Sequence, residues 1–351
     1  MLAHVALPVA FVFYQLAKIL YNLYFHPLAK FPGPKLAAAT HAYEFYWSVI
    51  RDGQFIWEIE RLHKKYGPIV RITPRELHIA DPSFHSEIYA SSPRRVNGDY
   101  RFIRTSGVTK SMFAAIDHDL HHIRRGSLTK FFSKRSVHSI QPMIQDKVEL
   151  VIKKLQEAAL TTSPVNLNKI NAAFTADIIS HYAYGVSLGC LDGGMRENML
   201  SDATHAIAGL SQWLKFIPIN FTKIKKLHPA LIQKISPTAA MILNTHRTIS
   251  SLAIDVLRST EPKELRKNIF ATLADAKLPA EERSLDRLEE EGFVLLVAGT
   301  ETTAHCLSVT MFYILNTPDI HRELFQELKT VMPEGTERPA LHTLESLPLL
   351  V

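Results

Sequence analysis

From Phe293 to Leu315 the chain is apolar almost without interruption and contains no proline. Its polar residues gather largely in Gly299-Thr300-Glu301-Thr302-Thr303 and at His305, so the pattern predicts a helix buried all round and interrupted at one point. Gly299 has no Cβ, which would let a flat ligand approach the backbone closely. Thr302 or Thr303 can turn a hydroxyl onto the carbonyl four residues earlier, which competes with the helical hydrogen bond and opens a small groove. Glu301 beside Thr302 places an ionisable group next to a hydroxyl, the minimum for passing protons to something held in that groove. The plainer reading of the same residues is a core helix with a few satisfied polar groups.

The ends of this helix are marked. Ser284 is placed to cap it, Asp286, Glu289, Glu290 and Glu291 put negative charge in its opening turns, and Pro318 stops it after Asn316. At ~1.5 Å per residue such a helix is nearly 50 Å long. A membrane span is the rival reading, but Glu301 near the centre would cost about 2.5–3.5 kcal/mol on insertion, which favours a soluble core.

Ala298-Gly299-Thr300-Glu301-Thr302-Thr303 fits [AG]-G-x-[DE]-T-[TS] at every place, and it resembles the oxygen-binding stretch of the cytochrome P-450 monooxygenases. The rest of the chain follows the order this resemblance implies. Val5 to Phe25 is about long enough to cross a bilayer. Lys30, Lys35 and Arg51 follow it and no Lys or Arg precedes it, which places the body of the protein in the cytosol. Phe31-Pro32-Gly33-Pro34 cannot continue a helix and resembles the proline-rich hinge after the anchor of membrane-bound, especially fungal, members. Gln54 to Tyr66 reads as a helix ended by Gly67-Pro68. Ile69 to Ile72 and Glu76 to Ile79 read as a hairpin, and Asp81-Pro82 opens another helix. Ser91 to Ser111 reads as a long loop, which in the resembled family covers the substrate pocket.

His118, His121 and His122 invite a metal reading, yet no further ligand pattern accompanies them. His121 and Arg125 share a helix face and make a cationic edge suited to a carboxylate. Their spacing looks like the family's W-x-x-x-R helix with histidine in place of tryptophan, which implies that Arg125, and His121 with it, hold haem propionates. Helical spacing continues through Gln141–Leu160, Asn166–Tyr184, Ser201–Phe216, Pro237–Leu257 and Asp319–Val331. Trp213, Phe216, Ile217, Ile219 and Phe221 form an aromatic and apolar patch between two of these helices.

The totals agree with a globular body. The 351 residues are 46% hydrophobic and 21% charged, and 40 basic against 34 acidic residues leave a mild +6. Cys190 and Cys306 cannot make a disulfide framework or a zinc pattern. No phosphate-binding glycine loop is present, which argues against a nucleotide enzyme.

The expectation is therefore a mainly α, P-450-like fold with a small β hairpin, arranged as membrane anchor (1–25), proline-rich hinge (26–40) and catalytic domain (41–351). The resemblance implies haem-dependent oxygenation of a hydrophobic small molecule, in secondary metabolism, at the endoplasmic reticulum. It also implies electrons from an NADPH-dependent reductase and no nucleic acid partner. Glu301 and Thr302 would relay protons, and Ala298 and Gly299 would line the oxygen groove. By the resemblance, the family's E-x-x-R helix and glycine-flanked cysteine loop would lie beyond Val351, and Cys190 and Cys306 lack that cysteine's context. The resemblance thus implies a C-terminally truncated product, inactive alone. A non-catalytic, membrane-associated helical protein that binds an apolar ligand or partner is the alternative.

Overall fold

A computed structural model describes residues 2–89, 94–105, 107–192, 236–258, 268–275, 277–335 and 338–351, with 202, 204, 205, 209, 212–217 and 232–234. The chain divides into two compact units, residues 1–97 with 209–219 and residues 98–208 with 220–351.

In the first unit, α1 (Leu2–Leu20) runs into a π-helical turn, Tyr21–Phe25. Leu7, Phe11, Phe13 and Leu16 on it are exposed, and Ala6–Phe25 has the length and composition to cross a membrane. The proline-rich stretch that follows lies against the hairpin. The Arg71 N–H donates to the Pro32 carbonyl at 2.8 Å, and a Cβ on Gly33 would come within 2.4 Å of the Arg71 carbonyl oxygen, so only glycine fits there. Arg71 is 1% exposed, and its guanidinium donates to the backbone carbonyls of Asn22 (2.9 Å) and Pro74 (2.7 Å). Short helices α2 (Lys35–Ala39) and α3 (Ala42–Phe45) lead to α4 (Phe55–Tyr66), which stops at Gly67 in positive φ. Strands β1 (Ile69–Thr73) and β2 (Glu76–Ile79) pair antiparallel, Val70 opposite His78, with a register shift between Arg71 and Thr73. Leu62, Val70 and Ile72 form the small core beneath them. The Asp81 carboxylate accepts the Ser83 N–H at 2.9 Å and starts a 3-10 turn into α5 (His85–Ile88). Phe45 meets Trp213 and Phe216 edge to face, so this part of the aromatic patch packs on α3. Ile219 and Phe221 of that patch lie outside the described residues, as do 201, 203, 206–208, 210 and 211 of the expected 201–216 helix.

The second unit holds α6 (Tyr100–Thr105), α7 (His118–Thr129), α8 (Lys134–Ser139), α9 (Gln141–Leu160) and α10 (Leu167–Tyr184). They are followed by α11 (Pro237–Arg258), α12 (Ile269–Leu273), α13 (Leu285–Asn316), α14 (Pro318–Lys329) and α15 (Leu341–Leu344). The stretch read as one long loop, 91–111, contains α6. The Asp99 carboxylate accepts the Arg101 N–H at its start and Ile103 turns inward, 6% exposed, but six residues are too few to show a helical period. Residues 90–93 and 106 lie outside the description.

Ser284 caps α13 as its position suggests, accepting the Arg287 N–H at 3.3 Å, and the helix spans 32 residues to Asn316. It packs on α10 and α11, with Phe270 and Leu273 of α12 completing the core. Gly292 is where α13 comes closest to that core: a Cβ there would lie 2.5 Å from Phe270 Cζ and 3.0 Å from Ile249 Cγ2. Gly292→Ala is expected to destabilise by about 1–3 kcal/mol through overpacking, read as a fall in the thermal midpoint. Adding Phe270→Leu should make the pair less than additive, because it frees the same space.

Candidate active site

The hexapeptide does not interrupt α13; it distributes its side chains over three directions. Thr300 points into the core, 0% exposed, its hydroxyl donating to the Leu296 carbonyl at 2.7 Å while the Thr175 hydroxyl reaches the Thr300 carbonyl at 2.9 Å. Two turns on, Ser308 donates to the Ala304 carbonyl at 2.8 Å and accepts from Asn171 Nδ2 at 2.9 Å. Thr300, Ala304 and Ser308 thus form a narrow polar seam with Asn171 and Thr175 of α10. Gly299 also faces α10, where a Cβ would lie 2.7 Å from Ile179 Cγ1. Its missing side chain serves close helix packing, a use the sequence alone does not separate from close approach of a ligand.

Ala298 and Thr302 lie on the opposite, exposed side, and the Thr302 hydroxyl donates to the Ala298 carbonyl at 2.7 Å. This is the back-bond onto the residue four earlier that a threonine here can form. The stripe continues through His305, Cys306, Val309, Phe312 and Tyr313, spaced so that all share one helix face. Glu301 points a third way, with Oε1 3.1 Å from His205 Nε2.

The first turns of α13 hold an ionic cluster. Arg287 (1% exposed) bonds Glu282 Oε2 at 3.1 Å and pairs with Glu291 (0% exposed). Arg124 donates to both Glu282 oxygens, at 2.9–3.2 Å, and to the Ser111 carbonyl at 3.1 Å. Glu290 and Glu291 accept the N–H groups of Lys110 and Met112. Burial pushes the Glu282 carboxyl up, but its bonds to Arg124 and Arg287 outweigh this and hold it below the usual carboxylate range. Glu290 and Glu291 therefore bind segment 108–115 to α13, whereas Asp286 alone sits in the first turn, where the macrodipole acts.

Of the adjacent arginines on α7, Arg124 turns inward and Arg125 is exposed, on the face of the half-buried His121. The spacing Leu120, Arg124, Leu128 carries the signal for this, since it places Arg124 on the helix's apolar row. No acidic side chain among the described residues pairs with Arg125. Burial first, then the charges of Arg125, His118 and His122, hold the His121 imidazole below its ordinary value. Burial has the same effect at His26, helped by Arg71 and Arg75, and at His78, helped by His63. These depressed folded values mean that the unfolded chain binds more protons as the pH falls through ~6.5. The contribution is present above that pH and lost below it, so the thermal midpoint should fall between about pH 7 and pH 5, less steeply in His78→Gln.

Residues of 100–124 line an open pocket of about 510 Å³, among them Tyr100, Ile103, Ala114, Ile116, Leu120 and Arg124. None of the hexapeptide residues lines it. Arg125 and His121 are on α7, and Ala298, Gly299, Glu301 and Thr302 are on α13; the two helices are joined through Arg124, Glu282 and Arg287.

A family model for cytochrome P450 matches residues 40–351, and the chain belongs to that family. It is 45% identical over 318 residues to conidiogenone synthase PchP450 of Penicillium rubens, covering 91% of this chain and 65% of that protein. The cytochrome P450 monooxygenase TRI4 of Fusarium sporotrichioides is 38% identical over 340 residues, 97% of this chain and 65% of that protein. The chain thus spans 65% of the length of these two fungal relatives. A crystal structure of a cytochrome P450 (CYP102L1) superposes with a TM-score of 0.62 at 16% identity, over 83% of this chain and 62% of the other. The fold is therefore the mainly helical P450 fold, with its small antiparallel hairpin.

Proposed function

We propose that the protein is a haem-dependent monooxygenase acting on a hydrophobic small molecule in fungal secondary metabolism. Its electrons would come from an NADPH-dependent reductase. The observation that carries this is the outer face of α13, where Ala298 and Thr302 are exposed and Glu301 is adjacent. The residues present fit one side of a haem. Small Ala298 admits a flat ring close to the helix, the stripe beyond it is largely apolar, and exposed Arg125 with half-buried His121 suits anionic propionates. No iron ligand is assigned in this chain: Cys190 is buried in a loop held by Asp177, its N–H bonded to Oδ1 at 2.8 Å, and Cys306 is on α13 itself.

When bound, haem supplies the iron at which O2 is activated. The protein's part is protons and geometry. Rotation of the Thr302 hydroxyl away from the Ala298 carbonyl would turn its O–H outward from the exposed face of α13, and Glu301, the preceding residue, would restore the proton. The anchor, hinge and catalytic partition at 1–25, 26–40 and 41–351, with the body facing the cytosol at the endoplasmic reticulum, belongs to the same proposal and is supported by the exposed apolar α1.

Titration with haemin, followed by visible absorption, tests the assignment. Uptake that Ala298→Trp abolishes and Arg125→Glu weakens supports it; uptake indifferent to both overturns it. A folded, monodisperse chain that takes up no haem favours the non-catalytic reading.

A further inference from the structure

Glu301 has a neighbour that the oxygen-binding motif does not contain. His205 Nε2 lies 3.1 Å from Glu301 Oε1, within hydrogen-bond reach. The two differ sharply in access to water, the His205 side chain being 69% exposed and that of Glu301 25%. The next residue on α13 is Thr302, whose hydroxyl is held by the Ala298 carbonyl at 2.7 Å. Glu301 thus has His205 against its carboxylate and the exposed Thr302 as its neighbour in the chain. Histidine is the one side chain whose ordinary proton affinity lets it both take and give a proton near neutral pH.

We propose that His205 is the positioning residue on the solvent side of this site, loading Glu301 with protons drawn from water; this rests on the monooxygenase reading above. The step balances without an electron donor. The ring, protonated on both nitrogens, gives its Nε2 proton to the Glu301 carboxylate: an N–H bond breaks, an O–H bond forms, and a neutral ring protonated at Nδ1 remains. The exposed ring then swings to solvent, regains a proton at Nε2 from water, and returns. Once the two side chains turn towards each other, Glu301 would pass its proton to the Thr302 hydroxyl oxygen as that hydroxyl gives its own to the oxygen being reduced, and Glu301 would again be a carboxylate. A tether would use the same contact differently: it needs a hydrogen-bond donor opposite Glu301 but no exchangeable charge.

Two variants separate these roles. His205→Gln keeps an N–H donor and cannot carry a proton, while His205→Ala keeps neither. Ring nitrogen spectra of the histidine-labelled chain, recorded without haem, should show one signal set that disappears in His205→Gln and shifts in Glu301→Gln. A His205 signal indifferent to Glu301→Gln overturns the contact and the proposal with it. In the haem-loaded enzyme both His205 variants should raise the peroxide released per product by about tenfold, below the ~10²–10⁴ typical of a group that touches the reacting atoms. The solvent deuterium isotope effect should rise with it, and substrate affinity should stay unchanged. Coupling restored by His205→Gln but not by His205→Ala would show a tether and overturn the relay. Failure to load haem would sink the monooxygenase reading, and the relay with it, while the ring spectra still report whether the pair forms.

Discussion

Arg287→Ala is expected to be the most damaging single change in the second unit, at about 3–5 kcal/mol, because it strips the counter-charge from a fully buried carboxylate. Arg287 and Glu291 are 1% and 0% exposed, and Glu291 also accepts the Met112 N–H at 2.8 Å. Alanine there leaves Glu291 charged in the interior or forces it to take up a proton, and it removes one of the two guanidinium groups on Glu282. Glu282 keeps Arg124, so the loss centres on Glu291. The denaturant midpoint should fall accordingly. Arg287→Met with Glu291→Met should recover part of the loss, since an apolar pair of similar volume carries no desolvation cost. Recovery stays incomplete because the Met112 N–H then lacks its acceptor, at about 1–3 kcal/mol. A single variant as stable as the wild type would show that Glu291 is not charged in the native state.

Thr302→Ala should do the opposite, leaving stability within about ±0.5 kcal/mol because the side chain is exposed and its only described bond is to its own helix. In the haem-loaded enzyme supplied by a reductase, product per electron pair should fall by about 10²-fold, the low end of what a positioned proton donor contributes. The lost equivalents should appear as peroxide, and Thr302→Ser, which keeps the hydroxyl, should restore coupling. Unaltered coupling in the alanine variant would remove Thr302 from the proposed chemistry. Paired with the Arg287 series, this separates what α13 does for the fold from what it is proposed to do for the reaction.

The limits of α13 could be read from Ser284 and Pro318, and the hairpin from its β-favouring runs, because capping, proline and alternation are local signals. The stopping of α4 at Gly67 was legible for the same reason. Contacts between distant segments were not. Glu290 and Glu291 look like dipole charges until segment 108–115 is seen against them, and Gly299 looks like a ligand gap until Ile179 is found 2.7 Å from where its Cβ would be. Arg124 and Arg125 are identical in type, and only the Leu120–Leu128 row decides which turns inward. His205 carried no signal at all: it is separated from Glu301 by most of a hundred residues, and no periodicity links them.

The clasp at Arg71 bears on how this protein would be handled. Anchors are commonly trimmed to obtain a soluble form, and residue 25, where the apolar segment ends, is the obvious place to cut. That cut would remove the Asn22 carbonyl from a guanidinium that is 1% exposed, and the Asn22 amide from the Ala39 carbonyl it meets at 3.0 Å. Cutting after Leu20 keeps both bonds while discarding nearly all of the exposed apolar helix. The shorter deletion should therefore give the more stable first unit, measured as resistance to limited proteolysis at the hairpin.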